Sequence, residues 1–403
     1  MDTRQFIEAH LNDDVHELAL KYSNAKVDMA LALRQIEARQ LLRKKVPSWA
    51  DNPDLLFPAH LSIEQCSSEA TARYKASLLR GVSFADLTGG LGVDCFFISQ
   101  HFEHADYVEV NPELCGLAQQ NLGTGQGARN DVPDARLRIN NESAESFLRR
   151  CEPLDCVFID PARRDVHGRK VVSVADCSPN VVELQELMFQ KAKTVMVKLS
   201  PMLDISQALR ELRHVKEVHV VAVGNECKEL LFLMEPGFEG SPVFTCVNLE
   251  TQQPSVCFTQ ETERVSDLLL AKEVGRFLYE PNAAVMKGGC YRLLTQRYEI
   301  QKLHRNSHLY TSDLLVAGFP GRVFEVDDWA VYGKKANTLL KGVEKASIAI
   351  RNFPMTVAEI RKKWKIGEGD QVYLFATTLS DERKVVIKGK KVLNGLRASS
   401  CQC

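Results

Sequence analysis

Between residues 82 and 234 short apolar runs alternate with helix-length segments, and no other feature of the sequence restricts the fold as much. The runs fall at 82–87, 107–110, 137–139, 156–159, 194–198, 217–223 and 229–234, with helix-like stretches at 93–102, 112–122, 143–150, 179–193 and 204–213. Strands that are apolar throughout must be covered on both faces, and crossover helices between parallel strands provide that cover. The spacing therefore predicts a doubly wound, mostly parallel α/β sheet. No helix-length segment separates the last two runs, so they are expected to pair antiparallel across a tight turn near Gly224 and Asn225.

The flanks read differently. Residues 1–44 are rich in helix formers, Pro47, Pro53 and Pro58 mark a connector over 46–60, and Ser67-Ser68-Glu69 opens a helix predicted to stop at Gly81. After Pro236, segments 242–250 and 255–260 suggest a hairpin, followed by a helix over 266–278 and a mixture of short elements over 280–325. Beyond about 326 come a strand at 346–352, a helix at 356–364 capped by Thr356, and strands at 371–378 and 384–388. No internal repeat is visible.

Charge divides the chain unevenly. The net charge is −1, yet residues 331–403 hold 15 Lys and Arg against 6 Asp and Glu. Such a tail either meets a polyanion or is a solvated lysine-rich face. No stretch has the ~18 uncharged apolar residues of a membrane-spanning helix. Met1–Phe6 lacks the basic-then-apolar layout of an export signal. The twelve cysteines include no CxxC pair, and only Cys401 and Cys403 cluster, at a terminus; no metal site is expected, and a reduced, cytoplasmic protein is.

Four predicted strand ends carry chemistry. The first leads into Asp86-Leu87-Thr88-Gly89-Gly90-Leu91-Gly92, where glycines let backbone approach a ligand. A dinucleotide loop normally has a third glycine where Cys95 stands, and Asp86 would repel a pyrophosphate but suit a cationic amino-acid moiety. Both features weaken a dehydrogenase reading. Glu109, at the second strand end, can accept from both ribose hydroxyls or be an exposed acid. The polar run Asn140-Asn141-Glu142-Ser143 can reach an adenine, and a helix cap by Ser143 or Asn141 is compatible with that use. Asp160-Pro161-Ala162-Arg163-Arg164 stands where catalytic groups of such sheets belong, although Asp-Pro alone is also a plain turn.

Together these residues resemble a class I S-adenosylmethionine-dependent methyltransferase. Ser67–Lys75, Asp160–Asp165, Asp176-Cys177-Ser178-Pro179 and Val197–Asp204 are similar to a bacterial group with a C-terminal THUMP-like domain, related to the trimethylguanosine-synthase type. The resemblance runs nearly end to end. It implies a Rossmann-like class I methyltransferase sheet (an α/β fold) with an N-terminal helical region and small C-terminal α+β modules. The expected divisions are 1–60 helical, 61–240 methyltransferase, 241–275 connector, 276–322 ferredoxin-like insert and 323–403 basic THUMP-like domain.

The resemblance also assigns residues. Asp86, Thr88, Gly89, Gly90 and Gly92 would form the S-adenosyl-L-methionine loop, Glu109 would hold the ribose, and Glu142 with Ser143 would flank the adenine. Asn111 and Ser68 complete the implied cofactor set. Asp160 and Pro161 would face the methyl group and the target, with Arg163 and Lys198 beside them. Amine methyltransferases typically carry a second proline and an aromatic after the Asn/Asp-Pro; Ala162 and Arg163 stand there instead, so stacking of a target base from that position is absent. Arg163 and Arg164 could meet phosphate or carboxylate, or pair with Asp165 or Asp176. Lys198 could contact phosphate or pair with Asp160. Carbon methylation would need a nucleophilic thiol, for which Cys177 is the candidate, with a plain helix-entry residue as the alternative. The expected activity is methylation of RNA gripped by the basic C-terminal module. The alternatives are a small-molecule or protein methyltransferase, or a catalytically silent RNA-binding protein.

Overall fold

A computed structural model describes residues 2–22, 26–58, 60–123, 136–163 and 173–392. The chain divides into two compact units, Met1–Lys216 with Leu230–Gly240, and Glu217–Glu229 with Ser241–Cys403.

The first unit opens with helices α1 (Thr3–Ala9), α2 (Val15–Lys21) and α3 (Met29–Lys45). Each starts on an aspartate, Asp2, Asp14 or Asp28, whose carboxylate accepts from first-turn amides that would otherwise lack partners. They pack on a small core of Phe6, Leu18, Ala32 and Ile36. The predicted connector contains a short helix, α4 (Pro47–Ala50), because a proline is well tolerated at the first helical position. Arg39 of α3 holds the connector: its buried guanidinium donates to the carbonyls of Ala50, Asn52, Pro53 and Leu55 at 2.7–3.3 Å. Next come α5 (His60–Gln65) and α6 (Glu69–Leu78), the latter capped by Ser68.

The α/β alternation follows as predicted: β1 (Ser83–Asp86), α7 (Val93–Ser99), β2 (His104–Glu109), α8 (Pro112–Leu122), β3 (Arg136–Asn141), α9 (Ala144–Arg150) and β4 (Leu154–Ile159). A two-stranded β5 (Ala162–Arg163) and β6 (Cys177–Ser178) intervenes before α10 (Val181–Lys191), β7 (Ala192–Leu199), α11 (Ile205–Glu211), β8 (Val215–Val223) and β9 (Glu226–Met234). Within this unit the sheet order is β3-β2-β1-β4-β7-β9. All its pairings are parallel except β7 with β9, where Val195 faces Met234 and Leu199 faces Leu230. The chain leaves β1 towards β2 on one side and returns to β4 on the other, so the strand order reverses between β1 and β4. Ligands of open α/β sheets bind at such a reversal, beyond the carboxyl ends of the strands. The buried strand residues Phe84, Tyr107, Val157, Phe158, Val195 and Met196 confirm that both faces are covered.

In the second unit the hairpin turn falls at Gly224 and Asn225, both left-handed (φ +55° and +72°), as a two-residue hairpin turn demands. β10 (Val243–Leu249) runs parallel to β8 and antiparallel to β11 (Val256–Thr259). The helix expected over 266–278 is absent. Thr259 caps an earlier helix, α12 (Gln260–Val265), through a reciprocal bond with Thr262, and the run at 277–281 is too thoroughly buried to be an amphipathic helix. That run is β12 (Phe277–Pro281), after which come α13 (Ala283–Gly288), α14 (Leu293–Arg297), β13 (Gln301–Lys302), β14 (Tyr310–Ser312) and β15 (Gly321–Val331). The chain then forms α15 (Lys334–Leu339), β16 (Ser347–Arg351), α16 (Val357–Trp364), β17 (Tyr373–Thr378) and β18 (Lys384–Lys391). One seven-stranded sheet, β13-β14-β12-β15-β18-β17-β16, unites them. Among the described residues no helix is long and apolar enough to cross a membrane.

Candidate active site

The site lies in the first unit, at the carboxyl ends of β1, β2, β4 and β7. The loop after β1 is shaped by two left-handed glycines, Gly90 (φ +56°) and Gly92 (φ +90°). Gly89 lacks a side chain for a different reason. A Cβ there would stand 2.1 Å from the buried ring of Tyr107, whose hydroxyl donates to the Gly90 carbonyl at 2.6 Å. A Cβ on Gly90 would meet nothing nearer than the Thr88 carbonyl, at 3.7 Å, so the loop presents open backbone there.

Glu109 is joined to this loop. One carboxylate oxygen accepts from the Gly90 amide at 3.0 Å and the other from the Asn111 amide at 2.9 Å. Each oxygen keeps a second lone pair for another donor. Asp86 is fully buried: one oxygen accepts from the Thr88 amide at 3.0 Å, while Oδ2 has no partner. Burial pushes its carboxyl well above the usual range, with Asp94, Asp160 and Glu109 adding to the rise. Thr88 ties the loop to the next strand end, its hydroxyl accepting the Asp160 amide at 2.7 Å.

Behind Asp160 the pairing with Lys198, one of the two alternatives the sequence left open, extends into a buried charge network of Ser67, Lys75 and Asp94 that the sequence did not announce. Lys198, at the end of β7, pairs with the Asp160 carboxylate and lies 3.2 Å from the Ser67 hydroxyl and 3.8 Å from Asp94. Ser67 donates to Asp94 at 2.6 Å and accepts from Lys75 at 3.1 Å. Lys75 is wholly buried and lies 3.1 Å from the other oxygen of Asp94. Burial alone would raise Asp94; the ammonium groups of Lys75 and Lys198 outweigh it and hold the carboxyl below its usual range. One signal was available: Lys75 falls on the apolar stripe of α6 with Thr71, Ala72 and Ala76, where a lysine needs a partner.

Not every predicted residue reaches this cluster. Ser68 caps α6, Asn111 caps α8 and Ser143 caps α9, each accepting from first-turn amides. Glu142 is paired with Arg150, which also bonds Asn140 at 2.8 Å. Pro161 is buried beside Asp160. Arg163 pairs with Cys177 across β5 and β6, while Arg164 and Asp165 lie outside the described residues, as do Cys401 and Cys403. Cys177 is buried, its thiol 4.0 Å from the Ser173 carbonyl, which suits a packed strand residue rather than a nucleophile.

The residues fit the cofactor that the resemblance implies. The orphaned Asp86 oxygen wants a donor, the open Gly90 backbone admits a nucleoside, and Glu109 can accept from vicinal hydroxyls.

The fold and this site define a methyltransferase-type α/β unit followed by smaller C-terminal modules. A ferredoxin-like domain family matches residues 277–320, and a THUMP domain-like family matches residues 321–391. A crystal structure described as that of a "putative methyltransferase" from Porphyromonas gingivalis W83 superimposes with a TM-score of 0.86 at 31% identity, covering 97% of this chain and 98% of that one. The chain belongs to the family of that protein. Partial matches include TrmK of M. capricolum with S-adenosyl-homocysteine (12% identity, 41% of this chain and 68% of that one, TM-score 0.31). Another is an rRNA methylase of Streptococcus thermophilus (14% identity, 41% and 94%, TM-score 0.29). No curated protein shows significant similarity.

Proposed function

We propose that the protein is a class I S-adenosylmethionine-dependent methyltransferase of the trimethylguanosine-synthase type, acting on RNA held by the basic C-terminal module. The observation that carries this reading is the convergence of Asp86, the Gly90 loop, Glu109 and Asp160 at one sheet edge, beside the reversal in strand order.

S-adenosylmethionine, when bound, supplies a methyl group already activated on a sulfonium, so the chain has mainly to position the partners and exclude water. Asp86 offers its unpaired oxygen to the ammonium of the amino-acid moiety, and Glu109 accepts from the ribose hydroxyls. Asp160, fixed at its amide by Thr88 and at its carboxylate by Lys198, presents acceptors on the target side. An exocyclic amine donating to those acceptors keeps its lone pair directed at the methyl group. Lys198 is thereby a positioning residue. Its charge is already shared among Asp160, Ser67 and Asp94, which argues against a primary role in gripping phosphate.

The experiment is transfer of tritiated methyl from S-adenosylmethionine to RNA, protein and small-molecule fractions, followed by nucleoside mass spectrometry. Label in a defined nucleoside, abolished in Asp160→Ala while cofactor affinity is retained, is the expected result. Label confined to protein or small molecules overturns the RNA assignment.

A further inference from the structure

The second unit contains a cavity of about 450 Å³ whose lining includes Glu280, Arg322, Arg351 and Lys287, with Met286 and Pro281 as apolar wall. Glu280 belongs to the buried central strand β12, and only 4% of its side chain is exposed. One of its oxygens accepts two nitrogens of Arg322, with Nε at 2.9 Å, and the other accepts Arg351 at 2.7 Å. The guanidinium side chains are about one-third exposed, at 34% and 37%. Arg351 also donates to the Ile350 carbonyl at 2.8 Å, yet its Nε is buried with no partner.

A buried arginine–glutamate–arginine triad adds little net stability over apolar packing, but it fixes the planes of both guanidinium groups. Glu280 thus acts as a brace with both oxygens engaged by the two guanidinium groups, and Lys287 lines the same cavity. The remaining fork donors match the oxygens of a phosphate ester. The cavity is larger than a bare anion needs and has the size of a site for a small organic ligand. We propose that this cavity binds the phosphate of a nucleotide unit, either free or within an RNA chain. The proposal stands independently of the methyl-transfer reading.

The test is calorimetric titration of the full-length chain with uridine 5′-monophosphate, with uridine, and with an RNA hexamer lacking terminal phosphates. Each is repeated on Lys287→Glu and Arg322→Gln, with thermal melting as the folding control. We expect the monophosphate, the hexamer or both to bind wild type, uridine not to bind, and affinity to fall at least tenfold in Lys287→Glu. Binding of the monophosphate alone assigns a small phosphorylated ligand; binding of the hexamer assigns the RNA backbone. Lys287 lies outside the triad, so Lys287→Glu decides the matter even if Arg322→Gln fails to fold. No binding of either phosphate probe, equal binding of uridine, or unchanged affinity in a folded Lys287→Glu overturns the proposal.

Discussion

At the scale of single residues the site combines strained chemistry with rigid support. Asp86 keeps its proton to higher pH than an ordinary carboxyl because it is buried with one oxygen unpaired. A group whose folded pKa is raised stabilises the fold fully below its unfolded pKa, and that contribution disappears as pH rises through the folded value. Asp86→Asn should therefore flatten the fall in thermal midpoint between acid and neutral pH, while cofactor affinity drops at least tenfold. Parallel pH–stability curves for variant and wild type would show that Asp86 carries no such cost. Gly89→Ala forces a methyl group into the Tyr107 ring and should cost about 1–3 kcal/mol, seen in denaturant unfolding. The glycine loop, Glu109 and Asp160 were legible because strand-end position and residue type together declare them. Ser67, Lys75 and Asp94 were not, because their partnership joins α6, α7 and β7 from distant parts of the sequence. Ser68, Asn111 and Ser143 each cap their own helix as well, as their types and positions at helix starts announce.

At the scale of elements, periodicity found every strand of the first sheet, since buried parallel strands are short apolar runs with little ambiguity. It failed at 266–278, where a cap at Thr259 drew the helix forward and left a strand behind. It held at 356–364: α16 stops at Trp364 because Lys365 is left-handed (φ +55°). Arg361 of this helix donates to the carbonyls of Ala346 and Ile366, both at 3.2 Å. Trp364 is half-buried and donates to Asn337 at 2.8 Å, consistent with a packing role. The connector after α3 depends on one side chain, and Arg39→Ala should destabilise the protein by about 2–3 kcal/mol through loss of its carbonyl bonds. Unchanged unfolding in urea would contradict that dependence.

At the scale of the whole molecule, the basic tail is not a separable appendage. β15 pairs with β12 of the ferredoxin-like segment on one side and with β18 on the other, so deleting 331–403 would strip β18 from a shared sheet and expose the core around Phe324. Charge is better removed by substitution. Lys334, Lys335, Lys362, Lys384 and Lys390 are exposed, and their joint replacement by glutamine should weaken RNA binding and flatten its salt dependence. Each lost phosphate contact should lower the log–log slope by about one. An unchanged slope in filter binding would reduce this face to solvated surface. The central claim, that the edge of the first sheet binds S-adenosylmethionine, is tested most directly by calorimetric titration of the full chain with S-adenosylhomocysteine. One site per chain is expected in wild type, weakened at least tenfold in Glu109→Ala. Binding of NAD in its place, or equal affinity in Glu109→Ala, would contradict it.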